Sequence, residues 1–331
     1  MHHPLVTIMI PTYRQAAYVV RAIESALRQN YPNIEVIVSD DFSPDDTQVI
    51  VERFISARKD PRIKYTKNPE NLGILRNYYS GLYQKAAGDW VVNLDGDDFF
   101  VDNGFISAAM DLSHRNPAVR LIFANYAEHY QASGNQIDIK NKGLPQIMSD
   151  EYFFERYASG GVNWNHNSII YRRVPAMDVG CYWHPTLPRN DWESFLRLIV
   201  GSPVGFLPRT VAAWVQHGNN ETSRLDLDKY VRNFTLIDEI ATFAKQNGMN
   251  SAFVASWRRK MQYKSTKSSC IAYLRRSDIR GIAKFLRAAA RFYPLAPVRA
   301  ATDLSLIVRG VLALNPSLYL AAKQLGRKLR S

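Results

Sequence analysis

Three carboxylates stand within four positions of the string NLDGDDFF: Asp95, Asp97 and Asp98. Clustered acids repel one another, and a hard divalent cation held by oxygen ligands offsets that repulsion. Magnesium or manganese fits best, because either keeps coordination sites open for substrate phosphates. Gly96, inside the cluster, lets the backbone approach a ligand closely. The plainer reading is a solvated acidic turn capping a helix after Asn103. A second string, SDDFSPDDT, divides by position. Ser43, Pro44 and Asp46 fit an N-cap, a first-turn proline and an acid three residues in, which leaves Asp40 and Asp41 unexplained. An acid at a strand's carboxyl end can accept the imide N–H of uracil or the hydroxyls of ribose, and Asp41 is the candidate.

Further along, NPENLGILRN places Gly73, suited to a tight turn, ahead of a helix carrying Arg76. A guanidinium there can fork to a phosphate oxygen or a base carbonyl. Asp191 in RNDWESFLRL falls at or just before a helix start, where the helix dipole favours the carboxylate. It reads either as an N-cap or as a base that deprotonates an attacking hydroxyl. His217 in VQHGNNETSR opens a Gly/Asn-rich loop and can ligate a metal or donate to a phosphate. GGVNWNHNSII offers Trp164 as a platform for a sugar face, with His166 and Asn167 beside it. Trp192 joins them as an acceptor-side candidate.

The elements that must position these residues are read from periodicity. VTIMI, IEVIVS and DWVVNL are buried strands and RIKYT a weaker one, with helical stretches around 17–29, 47–57 and 74–85 between them. That alternation predicts βαβ crossovers, a mostly parallel sheet, and chemistry at the strands' carboxyl ends. VRLIFANYAEHY is a further strand, followed by a polar connection through about Gln146. SIIYRR and RTVAAWVQ are later strands flanking a helix that starts near Trp192. After about Leu225 the pattern is helical, interrupted by Pro294, Pro297 and Pro316. The G-x-G-x-x-G and Walker A strings are absent, which removes dinucleotide dehydrogenases and P-loop enzymes.

With 331 residues, 46% of them hydrophobic, the chain can build a substantial core. Its two cysteines, Cys181 and Cys270, cannot make a disulfide framework, which fits a reducing cytoplasm. The N-terminal stretch MHHPLVTIMIP lacks the basic region of a signal peptide and reads as a strand. Residues 251–331 hold 17 Lys and Arg against two acids, leaving −3 of the total +12 for the first 250. A near-neutral body with a basic, apolar-rich tail suggests an anionic membrane surface and not nucleic acid, for which no stacking-aromatic motif is present.

Taken together, the motifs across residues 5 to 225 resemble family 2 glycosyltransferases of the GT-A fold, the inverting kind that builds bacterial polysaccharide and lipopolysaccharide. The stretch from VTIMIPTYRQ to SDDFSPDDT is similar to the family's nucleotide-binding half almost throughout. The resemblance implies an α/β GT-A domain over 1–225, with a nucleotide half to about 100 and an acceptor half beyond it. A basic helical region covers 226–331. It also implies Pro11, Thr12 and Tyr13 beside the base, Asp41 on uracil, Arg76 on the nucleotide and LDGDD as the DxD site. Asp95 then faces ribose and donor sugar, Asp97 is the metal ligand and Asp98 its competitor. RNDWESFLRL looks like the family's motif in which Asp191 is the base, with Asn190 where an acid is common. VQHGNNETSR is similar to the loop whose His217 closes over the diphosphate.

The implied reaction moves a sugar from a nucleoside diphosphate, UDP for preference, to a hydroxyl of a glycan or lipid-linked acceptor, with magnesium or manganese assisting. In the basic region, SDIRGIAKFLRAAARFY sets Arg280, Lys284, Arg287 and Arg291 on one helical face. Ile282, Phe285, Leu286, Ala289 and Phe292 fall on the other, the pattern of an interfacial helix. Later apolar runs are cut by Arg309 and Pro316 short of the roughly 20 residues a spanning helix needs. Peripheral attachment to the inner face of the cytoplasmic membrane is expected, against an ordinary helical subdomain. The rival readings are a sugar nucleotidyltransferase, which lacks its Gly-rich loop here, and an inactive nucleotide-sugar-binding protein.

Overall fold

The computed structural model describes residues 3–183, 190–218 and 225–314. The chain forms two compact units, Met1–Asn219 and Asn220–Ser331.

The first unit opens with β1 (Val6–Thr12), α1 (Val19–Leu27), β2 (Ile34–Asp40), α2 (Thr47–Arg58), β3 (Ile63–Lys67) and α3 (Ile74–Ser80), the last running into a π-helical turn, Gly81–Lys85. β4 (Trp90–Asn93), β5 (Phe99–Phe100), α4 (Phe105–Arg115), β6 (Leu121–Tyr130), β7 (Asn135–Ile139), β8 (Ile147–Met148) and α5 (Asp150–Ala158) follow. β9 (Ile169–Arg172), α6 (Arg173–Asp178), α7 (Asp191–Ile199) and β10 (Val204–Gln216) complete it. β1, β2 and β4 are buried along their whole length. Such continuous apolar runs belong to strands covered on both faces. α1 buries Val19, Ala22, Ile23, Ala26 and Leu27, the i, i+3, i+4 stripe of a helix laid on a sheet.

The sheet order is β3-β2-β1-β4-β9-β6-β10-β5. β3, β2, β1 and β4 pair in parallel, whereas β9 is antiparallel to both β4 and β6. Parallel pairing therefore joins the first four strands and, separately, β6 with β10, while β9 between them makes the whole sheet mixed. The polar connection after β6 contains β7, which pairs antiparallel with it. β7 is exposed almost throughout, so no buried alternation announced it. α2 begins at Thr47, where the periodicity expects it, but the capping reading of Ser43, Pro44 and Asp46 fails: Asp46 is itself the N-cap and makes no capping hydrogen bond. Ser43 instead accepts the Arg14 N–H, and the Ser43 N–H goes to Asp40 Oδ1.

The second unit contains α8 (Leu227–Gln246), α9 (Ser251–Leu274), α10 (Ile279–Ala289), α11 (Ala296–Thr302) and α12 (Leu304–Leu314). Its core gathers Phe234, Cys270, Tyr273, Phe285 and Ala289, with Ile282, Leu286 and Phe292 packed against them. The apolar face of α10, expected to meet a membrane, is thus spent on the unit's own core, while Arg280, Lys284, Arg287 and Arg291 stay exposed. Exposed apolar side chains sit elsewhere, on Leu295, Val298, Leu304, Ile307 and Val308. No described helix is long and apolar enough to cross a membrane. Pro316 and the cations beyond it lie outside the described residues.

Candidate active site

The chain runs outward from β1 to β2 and β3, then returns to the other flank of β1 as β4. Ligands of open α/β sheets bind at such a reversal, beyond the strands' carboxyl ends. Pro11 and Thr12 finish β1 and are buried, and Tyr13 beyond them is 42% exposed. Just past β1 and β2, Arg14 and Phe42 adopt left-handed backbone at φ 57° and 61°, an uncommon conformation for such side chains. The Asp41 N–H bonds the Thr12 carbonyl at 2.9 Å, locking the two strand ends together.

The Asp41 carboxylate is already well supplied with donors. Asn68 Nδ2 reaches its Oδ1 at 2.9 Å, and the N–H groups of Leu72 and Gly73 reach Oδ1 and Oδ2 at 2.8 Å each. Asp41 therefore ties β2 to the loop that leads into α3, and one lone pair of Oδ2 is left for a ligand. Gly73 takes φ 80° and ψ 154°, backbone open to glycine alone, so the turn expected there is real. Arg76, one helical turn on, is exposed.

After β4 the three acids part company. Asp95 accepts a short hydrogen bond from the Tyr78 hydroxyl and faces His166, whose Nε2 lies 3.0 Å from its Oδ2. Asp97 turns to His217, with Nε2 and Oδ2 2.8 Å apart. Asp98, 1% exposed, points inward, where Oδ1 accepts the Val215 N–H at 2.9 Å and Oδ2 accepts Asn167 Nδ2 at 3.0 Å. Gly96 is required by the β1 turn: a Cβ there would stand 2.3 Å from Gln15 Oε1 and 2.8 Å from Thr12 Oγ1. The close approach it permits is made by the chain itself.

Asp191 opens α7, but the cap is Asn190, whose side chain accepts the Glu193 N–H at 3.0 Å. The capping alternative for Asp191 is thereby removed. Its carboxylate is 41% exposed and lies 3.5 Å from His166 Nδ1, so one imidazole spans Asp95 and Asp191. His166, assigned from sequence to an acceptor pocket, belongs instead to the acidic cluster. Asn167, likewise expected to line that pocket, is fully buried and holds Asp98. Trp164 is no open platform: its half-buried ring leans on Phe123, Phe153, Tyr157 and Phe195. Trp192 is half-buried, and its backbone N–H helps to hold the Asp191 carboxylate.

Burial and mutual repulsion set the charges of the cluster. Burial raises Asp97, and Asp95 adds to the rise against the pull of His217. Burial raises Asp98 well above the carboxylate range, with Asp97 and Asp95 reinforcing it. His166 goes the other way: burial disfavours its charge, yet Asp95 and Asp191 together hold it well above an ordinary histidine. Asp191 is lowered, because its bonds to His166 and to backbone N–H groups outweigh its burial. Ligand atoms of Asp95, Asp98 and His166 come within 4.8 Å of one another, and His166 Nε2 has no aligned hydrogen-bond acceptor. The donor set is thus hard oxygen and imidazole nitrogen, and it suits a divalent cation.

Several participants escaped the sequence reading. Tyr18 stacks on His217 at 5.2 Å, and Arg21 donates to the Asp97 carbonyl at 3.1 Å while lying over Phe99. Tyr78 stacks on Tyr182, whose hydroxyl accepts Asn93 Nδ2 at 2.8 Å. Only the helical spacing of Tyr18 and Arg21, one turn apart beside the β1 end, offered a signal.

The chain is similar to known proteins in sequence and in fold. Residues 7–174 match the protein family described as "Glycosyl transferase family 2". The chain is 34% identical over 222 residues to the putative colanic acid biosynthesis glycosyl transferase WcaA of Escherichia coli K12, covering 66% of this chain and 75% of that one. The match spans 53% and 59% of two further curated relatives. Among solved structures, Staphylococcus aureus TarS 1-349 with UDP-GlcNAc superposes with a TM-score of 0.64 at 16% identity, covering 93% and 90% of the two chains. The mannosyltransferase PcManGT of Pyrobaculum calidifontis, with GDP-Man and Mn2+, gives 0.57 at 16% identity, covering 96% and 88%.

Proposed function

Since the chain belongs to glycosyl transferase family 2 and has the GT-A fold, we propose that this transferase inverts the anomeric centre of a nucleoside diphosphate sugar, with Asp191 as base. The observation that carries the reading is the acidic run 95–98 at the sheet's switch point, with Asp95 joined to Asp191 through His166. In the reaction an acceptor hydroxyl attacks the anomeric carbon and the bond to the diphosphate breaks. The hydroxyl proton passes to Asp191, which its bonds keep ionised. Charge grows on the departing diphosphate, where Arg76 and His217 stabilise it.

Asp97, paired with His217, would hold magnesium or manganese, and Asp95 would adjoin on the donor-sugar side. Asp98 has an oxygen within 4.8 Å of ligand atoms of Asp95 and His166, but both its oxygens are engaged and it is almost wholly enclosed, so it acts as a buried strut. A bound cation supplies Lewis acidity to the leaving diphosphate. UDP is the preferred nucleotide, through the remaining lone pair of Asp41. The acceptor is a glycan or lipid-linked saccharide, a class consistent with WcaA's naming for colanic acid biosynthesis. The chain works peripherally at the inner face of the cytoplasmic membrane, its second unit presenting exposed cations to anionic lipid.

The test is a panel of UDP-, GDP- and dTDP-sugars incubated with the full chain and Mn2+, followed by detection of released nucleoside diphosphate. Metal-dependent release from one class supports the reading. Pyrophosphate release from a nucleoside triphosphate and a sugar phosphate would instead identify a nucleotidyltransferase.

A further inference from the structure

Beneath the nucleotide end of the site lies a buried polar network that none of the reaction steps uses. Its centre is Lys85, the last residue of the π-helical turn after α3. Widened turns of this kind are rare and recur at functional sites. Lys85 Nζ donates to Ser39 Oγ at 2.6 Å and to Asn68 Oδ1 at 2.8 Å. Ser39 Oγ in turn donates to Asn77 Oδ1 at 2.6 Å, and Asn77 Nδ2 returns a bond to the Ser39 carbonyl at 2.9 Å. Asn68 Nδ2 is shared between Asn77 Oδ1 at 3.1 Å and Asp41 Oδ1 at 2.9 Å.

Ser39, Asn68 and Asn77 are at most 5% exposed. Lys85 itself is half-buried, and an ammonium withdrawn from water is costly unless its donors and its charge are met. Here two oxygens accept its hydrogen bonds; loss of solvent lowers the Lys85 ammonium from its ordinary value, and Asp41 and Asp40 work against that fall. The amide of Asn68 has two ends, and the bond at one end fixes the orientation of the other. With Lys85 holding its oxygen, Asn68 must present its NH2 to Asp41.

We propose that Lys85 is a positioning residue for the nucleotide: through Asn68 it fixes the carboxylate of Asp41, which anchors the Leu72 and Gly73 amides and the start of the Arg76 helix. This rests on the assignment of Asp41 and Arg76 to the nucleotide. Lys85 touches no substrate. It removes the freedom of an otherwise mobile loop, so that its cost is met on folding and not on binding.

The experiment measures binding of UDP, GDP and dTDP to the full chain and follows the one that wild type binds best. Lys85→Met, Lys85→Arg, Asn68→Ala and the double variant Lys85→Met/Asn68→Ala are compared, with Asp41→Asn as reference. Lys85→Met is expected to weaken nucleotide binding about tenfold, the worth of a lost charge-assisted hydrogen bond, with faster amide exchange at Leu72 and Gly73. The kcat at saturating donor should stay within about twofold of wild type, since the reacting atoms are untouched. Lys85→Arg should recover part of the affinity, and the double variant should be no weaker than the worse single one, because both changes cut one chain.

Unchanged affinity in Lys85→Met beside weakened binding in Asp41→Asn would overturn the proposal while leaving the nucleotide site standing. Additive losses in the double variant would overturn it too. Unchanged affinity in Asp41→Asn would instead remove the nucleotide assignment itself. Should Lys85→Met not fold, Asn68→Ala with Lys85→Arg carries the same comparison.

Discussion

Asp191→Asn separates the proposed base from the helix it opens. Because Asn190 makes the capping bond to the Glu193 N–H, replacing Asp191 by its isosteric amide leaves the cap intact. What is lost in the fold is a partly exposed charge at the dipole's favourable end and its 3.5 Å contact with His166. Each is worth at most about 1 kcal/mol at such exposure, and the variant should fold and bind donor normally. The base itself is worth about 10²–10⁴ in rate, or roughly 3–5.5 kcal/mol of barrier. Asn190→Ala should do the converse: it loses about 1 kcal/mol of stability with the cap, yet keeps the carboxylate and most of the rate. Nucleoside diphosphate release, read beside thermal melting and donor titration for both variants, makes the comparison. Turnover by Asp191→Asn within about tenfold of wild type would refute the assignment. So would a fall in donor affinity that accounts for the lost rate.

Removing His166 should move the pH profile. Its contact lowers Asp191, so the acid limb of wild type should lie below the ordinary carboxylate range, and in His166→Ala, with burial left to act, that limb should shift to higher pH in initial-rate measurements. Asp97→Asn should abolish the stabilisation that Mn2+ gives in thermal shift, whereas Asp98→Asn should lower melting of the metal-free protein, since two buried hydrogen bonds depend on that carboxylate. A membrane contact through the second unit predicts flotation with anionic vesicles that is lost on Leu304→Glu/Ile307→Glu and weakened by salt. Equal flotation of that variant would count against α12 as the contact.

What could be read from sequence divides by range. β1, β2 and β4 announce themselves because strands covered on both faces must be apolar at every position, and the acids at their ends stand out against that background. β7 is exposed and polar, so no pattern marked it. The site's cross-links join residues far apart in the chain, as with His217 and Asp97 or His166 and Asp95. Local spacing carries no information about such pairs. It also misled at Asn167 and Trp164, whose polar and aromatic types suggested an acceptor pocket. Burial put one to work holding Asp98 and the other to filling an aromatic cluster.

The three acids after β4 show why a motif is not yet a mechanism. Residues 95, 97 and 98 are nearly adjacent, but a turn closed by the Asp98 N–H on the Asp95 carbonyl at 2.8 Å points their side chains three ways. Asp98 goes into the sheet, where its two oxygens bind β10 and Asn167; substitution there should act first on stability. Asp97 faces the His217 loop, and substitution should act on metal. Asp95 looks across the sheet's switch point to His166 and so to the base, and substitution there should disturb both ends of the reaction. One consequence follows for Asp95→Asn. The neutral amide relieves the repulsion that raises Asp97, but it also weakens the field that keeps His166 charged. Metal binding and base function should therefore change together in that variant and separately in Asp97→Asn and His166→Ala. Comparing Mn2+ titration with the acid limb across the three variants checks this, and independent changes in Asp95→Asn would break the proposed link through His166.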